Sequence, residues 1–240
     1  MLESLRAGRE IERLIMVDDL ELGSQLREII ILAEDAGIRV DAVSRSDLEG
    51  QSQTKKHQGV IAVVPDPRYH NPEDFISAAN RKGETPLIVM LDGVQDPHNL
   101  GAIARTVDAS GAHGLIIPER RAVGITPGAV RASAGALEHV KVARVVNLNR
   151  TIENLRQAGV SVVGLDADGD IDYTQADLTG PVVIVVGSEG KGLSRLVREN
   201  CDQIASIPMT GKLSSLNASV SAGIVLYEAF RQRREKASAR

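Results

Sequence analysis

The sequence predicts an α/β protein with a buried parallel sheet, preceded by a smaller αβ domain. Short apolar runs rich in Val and Ile alternate with helix-like segments along the chain. Continuous apolar strands of this kind are typical of a sheet whose two faces are covered by helices. The segment PDPRYHNPEDF (65–75) places three prolines within eight residues and interrupts the alternation. We therefore expect a small domain at 1–66, a linker at 67–84 and a larger domain at 85–240.

The elements of the small domain are marked by apolar strands and by a helix stop. Its apolar runs are short and β-branched, as strands are. Its longest helix pattern ends at Gly37, and glycine commonly follows the last residue of a helix. Strands are predicted at 11–17, 38–43 and 58–64, and helices at 21–37 and 44–50.

The larger domain repeats the alternation with more apolar strands, of which PVVIVVG (181–187) is the most apolar. Pro97 suits the first turn of a helix, while Gly111 and Gly159 suit helix ends. Strands are predicted at 86–94, 113–119, 140–145, 160–167, 181–187 and 203–209, and helices at 75–84, 96–111, 126–138, 151–159, 193–200 and 218–234.

The composition narrows the possible classes of protein. The 240 residues are 42% hydrophobic and 25% charged, which is ordinary for a globular protein. No apolar run approaches the roughly 18 residues of a membrane span, and the N-terminus has no signal-peptide stretch. We therefore expect a cytoplasmic protein. The single cysteine, Cys201, excludes an internal disulfide and a cysteine-based zinc site, and we interpret it as a packing residue.

The charge distribution does not indicate a general nucleic-acid binder. The net charge is −4, and residues 1–65 contain 8 Lys and Arg against 12 Asp and Glu. Two Phe, three Tyr and no Trp disfavour a surface that stacks bases. The five histidines show no metal-ligand spacing, so no metal is expected. Any RNA contact would depend on local basic residues and on shape.

Three polar, glycine-containing segments follow apolar strands of the larger domain. They are DGVQDPHNLGAIAR (92–105), GSEGKG (187–192) and IPMTGKLSSLN (207–217). Ligands of open parallel sheets bind at the carboxyl ends of strands, which makes these segments site candidates. The spacing in GSEGKG fits neither a dinucleotide fingerprint nor a phosphate-binding P-loop. Ser188 also lacks the glycine two residues earlier that a nucleophile elbow requires.

Each segment also has an interpretation that needs no ligand. GSEGKG suits a tight turn with a solvated Glu189, and Arg105 suits an exposed helix surface. SSLNAS suits a helix N-cap at Ser214 or Ser215. We interpret His98 as solvated or bonded within its own loop. The coincidence of three polar segments after three apolar strands favours one shared ligand site.

The same segments carry a family resemblance. NLGAIAR (99–105), VGSEGKGLS (186–194) and IPMTGKLSSLNASVSAG (207–223) resemble the three motifs of the SpoU, or TrmH-like, family of RNA ribose 2′-O-methyltransferases in the SPOUT superfamily. The resemblance extends in order over 85–240, and it is most marked to the subgroup that methylates a guanosine of 23S ribosomal RNA. It implies a C-terminal trefoil knot, S-adenosyl-L-methionine as methyl donor, and a homodimer. Periodicity alone predicts an ordinary doubly wound sheet without a knot.

The resemblance also implies which residues form the site. The small domain resembles an αβ RNA-binding domain that related enzymes share with a ribosomal protein family, and we expect it to be shortened at its N-terminus. The positions that match catalytic residues of the family are Asn99, Arg105, Glu189, Ser215 and Asn217. The positions expected to bind the methyl donor are Gly187, Glu189, Gly190, Ile207, Met209, Ser215, Leu216 and Asn217.

The chemistry of methyl transfer gives each residue type a role. Transfer from a sulfonium to a ribose hydroxyl needs positioning and a proton acceptor, and it needs no metal. Glycines at 187 and 190 would let the backbone approach the donor, and the apolar side chains would line a slot for adenine. Asn99 and Arg105 are expected to face one cleft. A guanidinium keeps its proton up to about pH 12, so Arg105 is expected to hold a phosphate beside the target ribose.

Two other functions remain open at this point. One is methylation of a transfer RNA ribose, and the other is a non-catalytic RNA-binding role in ribosome assembly on the same fold. The joint presence of the five catalytic positions argues against lost catalysis. In the last helix, Val220, Ile224 and Tyr227 share a face, which favours either packing on the chain's own core or a part in the dimer.

Overall fold

The computed structural model divides the chain into two compact units, Met1–Pro67 and Arg68–Arg240. No helix in the described part is both long and apolar enough to cross a membrane. The residues described are 2–6, 10–18, 23–52, 57–212 and 215–238, and of residues 3 and 4 only the backbone is described.

The first unit is a three-stranded sheet with helices. Its central strand pairs in parallel with the second strand and antiparallel with the third. Leu14 and Ile15 are buried in separate apolar clusters, since successive residues of a strand point to opposite faces. The elements are α1 (Leu2–Arg6), β1 (Arg13–Val17), α2 (Ser24–Asp35), β2 (Arg39–Val43), α3 (Arg45–Gln51) and β3 (Val60–Val63).

The second unit is an α/β fold around a seven-stranded parallel sheet. All its neighbouring strand pairs in the described residues are parallel, as the sequence predicts. The strands are β4 (Leu87–Asp92), β5 (Gly114–Pro118), β6 (Val142–Val145), β7 (Ser161–Leu165), β8 (Ile171–Asp172), β9 (Val182–Gly187) and β10 (Gln203–Ser206), in the order β6-β5-β4-β9-β7-β10-β8. The helices are α4 (Glu73–Lys82), α5 (Pro97–Ser110), α6 (Pro127–Ala132), α7 (Leu148–Gln157), α8 (Arg195–Glu199) and α9 (Ala218–Ser238).

Apolar clusters cover both faces of this sheet. In β4, Val89 belongs to the cluster that includes α5 and α9, while Ile88 and Met90 belong to the cluster that includes Phe75 of α4. The alternation along one strand confirms the prediction of a sheet buried on both sides. The knot implied by the family resemblance stays a prediction.

Two elements differ from the sequence prediction. The helix expected over 126–138 ends at Ala132, because Ala134 and Gly135 have φ angles of 50° and 92°. Right-handed helix cannot continue through two left-handed residues, and a short 3₁₀ turn follows instead. The strand β8 was not predicted, since two residues are too few to show a period.

Cys201 lies at the edge of the second cluster, as a packing residue would. Its Sγ donates to the carbonyl of Val197 at 3.2 Å. Burial raises the pKa of the thiol to about 12, so that it stays protonated at neutral pH. A protonated thiol is a poor nucleophile, which agrees with the structural interpretation.

The C-terminal helix α9 is fastened to the sheet by Arg233. The guanidinium donates to the carbonyl oxygens of Thr85, Pro86, Leu178 and Gly180 at 2.6, 3.0, 2.9 and 2.7 Å. Those carbonyls lie just before β4 and β9. One side chain thus ties the end of the chain to the amino edge of the two central strands.

Candidate active site

The register of the sheet brings the predicted site segments together. Asp92 at the end of β4 pairs with Gly187 at the end of β9, so the segments that follow leave the sheet side by side. Leu165 of β7 pairs with Val186, and Ala205 of β10 pairs with Leu165. Four strands therefore end at one edge, where open parallel sheets bind their ligands.

The turn after β9 is closed by its own backbone. Ser188 and Gly192 exchange two N–H···O hydrogen bonds, each 3.0 Å long. A Cβ at Gly187 would lie 2.3 Å from the carbonyl carbon of Gly192, and a Cβ at Gly192 would lie 2.6 Å from Asp166 Oδ2. Gly192 also has a φ of 63°, which disfavours other residues. The turn therefore requires glycine at both positions.

Acidic side chains from neighbouring strands hold this turn in place. Asp92 Oδ2 accepts from the N–H of Ser194 at 2.6 Å. Asp166, which follows β7, accepts from the N–H of Leu193 at 3.3 Å and pairs with Arg198 at 3.3 Å. The position of the turn is thus set by the ends of β4 and β7.

Asn99 is placed by the start of α5. Asp96 caps this helix by accepting from the backbone N–H of His98 at 2.9 Å, and the His98 side chain is exposed. Asn99 follows in the first turn and is buried, with 7% of its surface exposed. A buried amide in a helix needs partners, and these come from the other two segments.

A hydrogen-bonded network links Asn99, Glu189 and Asn217, which are widely separated in sequence. Asn99 Nδ2 donates to Glu189 Oε1 at 3.1 Å, and Asn217 Nδ2 donates to Asn99 Oδ1 at 2.9 Å. Asn217 Nδ2 also donates to Glu189 Oε1, which accepts from the N–H of Ala218 at 3.4 Å as well. Three of the five predicted catalytic positions thus meet directly.

Asn217 is also the residue that caps α9. Its Oδ1 accepts from the N–H groups of Ser219 and Val220 at 2.9 and 3.4 Å. The sequence prediction of a cap at Ser215 is wrong, since Ser215 lies too far before the first helical residue; Ser214 is outside the described residues. The side-chain amide of Asn217 therefore joins the network while its carbonyl starts the helix.

A cavity of about 570 Å³ lies beside the network. The turn after β9 forms one wall, and the segment after β10 forms another. Seven of the positions predicted to bind a donor line it, and the eighth, Asn217, is in the network at its edge. The seven are Gly187, Glu189, Gly190, Ile207, Met209, Ser215 and Leu216.

Arg105 is the predicted catalytic residue that lies outside both the network and the cavity lining. Its side chain is exposed, lines neither this cavity nor the one described below, and has no hydrogen bond or ion pair within the described part of the chain. Six residues at about 100° each turn Arg105 roughly 120° away from Asn99 around the helix. Arg105 and Asn99 therefore do not share one cleft in this chain by itself.

Sequence reasoning missed the acidic loop after β7. Asp166 and Asp168 both line the cavity, and Asp168 follows in the stretch LDADGD (165–170). The signal was present, because this stretch also follows an apolar strand. This stretch contains no motif, however, and its role can be recognised only when β7 is known to lie next to β9 in the sheet.

The described residues contain no group of His, Cys, Asp and Glu that could hold a metal ion. The residues around the cavity offer amides, carboxylates, hydroxyls, glycines and a few apolar side chains. This set suits the binding and orientation of an organic ligand by hydrogen bonds.

Comparison with known families agrees with the geometry. Residues 86–227 match the SpoU rRNA methylase family, and residues 1–70 match the family described as RNA 2′-O ribose methyltransferase substrate binding. The chain is 46% identical over 233 residues to YacO of Bacillus subtilis, which is assigned to the TrmH family of tRNA/rRNA methyltransferases. That match covers 97% of this chain and 93% of YacO.

Solved structures with the same fold include two with the methyl donor AdoMet bound. The SpoU methyltransferase AviRb from Streptomyces viridochromogenes gives a TM-score of 0.73 at 33% identity, covering 97% of this chain and 87% of AviRb. An AdoMet-bound rRNA methyltransferase from Sinorhizobium meliloti gives 0.71 at 30% identity, covering 96% of this chain and 83% of that protein.

Proposed function

The chain belongs to the SpoU family of S-adenosyl-L-methionine-dependent RNA methyltransferases, and from this premise we propose that it methylates the ribose 2′-hydroxyl of a guanosine in 23S ribosomal RNA. The Sinorhizobium meliloti structure, described as an rRNA methyltransferase, aligns with 96% of this chain and hence with both units. The match of residues 1–70 to a substrate-binding family supports an RNA-recognition role for a first domain at 1–66.

The observation that carries the proposal is the network of Asn99, Glu189 and Asn217 beside the large cavity. Each residue comes from a different one of the three motif segments, and each is held by at least two hydrogen bonds. Preorganised polar groups of this kind orient reacting partners. We assign positioning of the acceptor ribose to this network.

The cavity fits an adenosyl ligand in size and lining. Its volume of about 570 Å³ lies in the usual range for small-molecule sites. Ile207, Met209 and Leu216 offer an apolar wall, while Asp168 and Glu189 place negative charge where a cation would be stabilised. S-adenosyl-L-methionine, when bound, supplies a methyl group activated by a sulfonium.

The remaining site residues have supporting roles in this proposal. Ser215 lines the cavity and offers a hydroxyl to the ligand. Gly187 and Gly190 shape the turn, and the open space beside Gly190 allows close approach of a ligand. Arg105, free of partners in the described chain, is available to bind the phosphate beside the target ribose.

We further propose that the chain acts as a homodimer. Val220 and Tyr227 of the predicted stripe expose 48 and 51% of their surface, and Ile224 between them is half-buried. The neighbouring Phe230 of α9 exposes 38%. A second copy of the same helix would bury these side chains. Sedimentation should give twice the monomer mass, and a monomer at all concentrations would contradict the dimer.

Transfer RNA is the second candidate substrate. The name of YacO includes both tRNA and rRNA, so transfer RNA stays a candidate substrate alongside ribosomal RNA. A non-catalytic assembly role is the third, and it is disfavoured because the network is complete.

Two measurements separate these functions. Titration calorimetry with S-adenosyl-L-methionine should detect binding, which a purely assembly-related protein does not require. 2′-O-methyl groups should then be mapped in ribosomal and transfer RNA from cells with and without the protein. We expect one guanosine of 23S RNA to lack its methyl group in cells without the protein. A methyl group missing from transfer RNA alone would instead establish the second candidate.

A further inference from the structure

A second cavity adjoins the first in the larger unit. Its volume is about 340 Å³, and it is lined by the loop after β4 on one side and by the turn after β9 on the other. Ser188, Glu189, Lys191 and Ala218 line both cavities, so Glu189 stands in the wall between them. A group in the second cavity is therefore a close neighbour of whatever occupies the first.

The loop that follows β5 reaches the rim of this second cavity. Because β4 and β5 are parallel, this loop starts at the same edge of the sheet as the loop after β4. The N–H of Val123 donates to the carbonyl of Val94 at 3.1 Å, and Gln95 Nε2 lies 3.5 Å from the carbonyl of Arg121. Val94 and Gln95 both line the cavity, so the loop is attached to the cavity wall twice.

Two adjacent arginines project from this loop. The side chains of Arg120 and Arg121 are exposed and have no hydrogen bond or ion pair within the residues that the structure describes. The acidic neighbour Glu119 is exposed as well, and its backbone N–H donates to the carbonyl of Val145 at 2.8 Å. The loop thus offers two unpaired guanidinium groups against one carboxylate.

The backbone of Arg121 is unusual. Its φ is 59°, a left-handed conformation that a side chain with a Cβ rarely adopts. Such a residue persists only where its surroundings hold it, and these conformations cluster at functional sites. Here the bonds from Gln95 and Val123 hold the loop on both sides of Ala122.

We propose that the second cavity receives the acceptor nucleotide and that Arg120 and Arg121 bind the phosphates flanking it. This inference rests on the proposed function and adds to it the RNA-binding half of the site. Arginine binds phosphate in a bidentate manner, and phosphate contacts supply much of the affinity of proteins for nucleic acids. The overall net charge of −4 makes such local cations necessary.

The test is the variant Arg120→Ala/Arg121→Ala, assayed with S-adenosyl-L-methionine and the RNA that the wild type methylates. We expect KM for RNA to rise about tenfold or more, with a smaller change in kcat, because the variant cannot form the charged hydrogen bonds to phosphate in the RNA complex. The slope of log Kd for single-stranded RNA against log salt should fall by about 1.4, since each phosphate contact contributes roughly 0.7. Arg120→Lys/Arg121→Lys should restore most of the salt slope.

The matched control is Arg81→Ala/Lys82→Ala. These adjacent cations end α4 and therefore lie at the opposite, amino edge of the sheet. If both double variants raise KM and flatten the salt dependence equally, the loss is one of bulk charge and the inference is overturned. Unchanged RNA affinity in the Arg120→Ala/Arg121→Ala variant would overturn it as well. If the wild type methylates neither ribosomal nor transfer RNA, the proposed function fails first, and the inference fails with it.

Discussion

Arg105 is the residue whose role depends most on what the chain binds. It is exposed and unpaired in the described chain, while Asn99 on the same helix is buried in the network. A cation that touches only the RNA should matter for transfer and leave the donor site unaffected.

We therefore expect Arg105→Ala to lower the rate of methyl transfer by about two to three orders of magnitude, the usual cost of losing a group that positions or stabilises the reacting centre. The Kd for S-adenosyl-L-methionine should stay within about twofold. Single-turnover kinetics and calorimetry measure the two quantities. Arg150→Ala, an exposed arginine on α7, serves as control. Equal losses in donor binding and transfer would contradict the separation of roles.

The residues of the site differ in how far the sequence could locate them. Glu189 and Asn217 lie in motif segments, and their contact with Asn99 follows once the three segments meet. Asp166 has no motif, and its role depends on β7 lying next to β9, which local sequence does not specify. The helix cap was misplaced because Ser and Asn are nearly equal as caps, so composition could not choose between Ser215 and Asn217.

Among the elements, the turn after β9 is both held by the sheet and part of the cavity wall. Its backbone bonds fix its shape, and the carboxylates of Asp92 and Asp166 fix its position. Substitution within this turn should therefore damage the cavity before it damages the fold.

Gly192→Ala adds a single carbon atom to the turn and tests whether the cavity depends on the shape of the turn. The new Cβ would face Asp166 Oδ2 at 2.6 Å in a backbone conformation that costs about 1–2 kcal/mol for other residues. We expect affinity for S-adenosyl-L-methionine to fall about tenfold, measured by calorimetry. In Gly50→Ala the added carbon meets open space within α3, so binding should not change. Normal binding by Gly192→Ala would mean that the turn is more adaptable than its contacts indicate.

A histidine just before β5, hydrogen-bonded to the first residue of β4, makes the fold sensitive to acid. His113 Nδ1 accepts from the N–H of Leu87 at 3.1 Å, which leaves Nε2 to donate to Glu84 at 3.0 Å. Burial lowers the pKa of His113 below its usual 6.5. The neutral ring is thus the form that fits, since a proton on Nδ1 would oppose the N–H of Leu87.

Stability should accordingly fall as the pH is lowered. Between the usual pKa and the lower pKa of the folded state, the unfolded chain binds a proton and the folded chain does not, so acid favours unfolding. Urea unfolding of the wild type from pH 8 to pH 5 should show a decline that His113→Gln reduces. Parallel profiles for the two proteins would exclude His113 as the cause.

At the scale of the whole molecule, Arg233 connects the last helix to the two central strands. Among the described residues, no other charged side chain donates to its four carbonyl partners. Burial lowers the pKa of the guanidinium, but arginine remains charged far above neutral pH.

We expect Arg233→Met to lower the free energy of unfolding by about 3 kcal/mol, because buried carbonyls lose charged hydrogen bonds. Chemical denaturation measures this. Arg234→Met is the control, since the Arg234 side chain stacks on Phe230, with 5.6 Å to the ring centroid, and has no hydrogen bond to a side chain or carbonyl in the described part of the chain. A similar small loss in both variants would show that α9 is held by its apolar contacts alone.

The architecture of the larger unit was predictable because its central strands β4 and β9 are almost wholly apolar and glycines end helices such as α4 and α5. The strand order was not, since it depends on contacts between residues far apart in sequence. The antiparallel pairing of β3 with β1 was likewise invisible, because a strand of four residues carries no mark of direction.

The attachment of Asn217 to the site has a consequence for biosynthesis. The ribosome completes every strand of the sheet before it reaches Asn217 and α9, so a nascent chain has the framework without the network. In the proposed function, methyl transfer therefore requires that the segment carrying Asn217 has emerged from the ribosome and docked on the sheet.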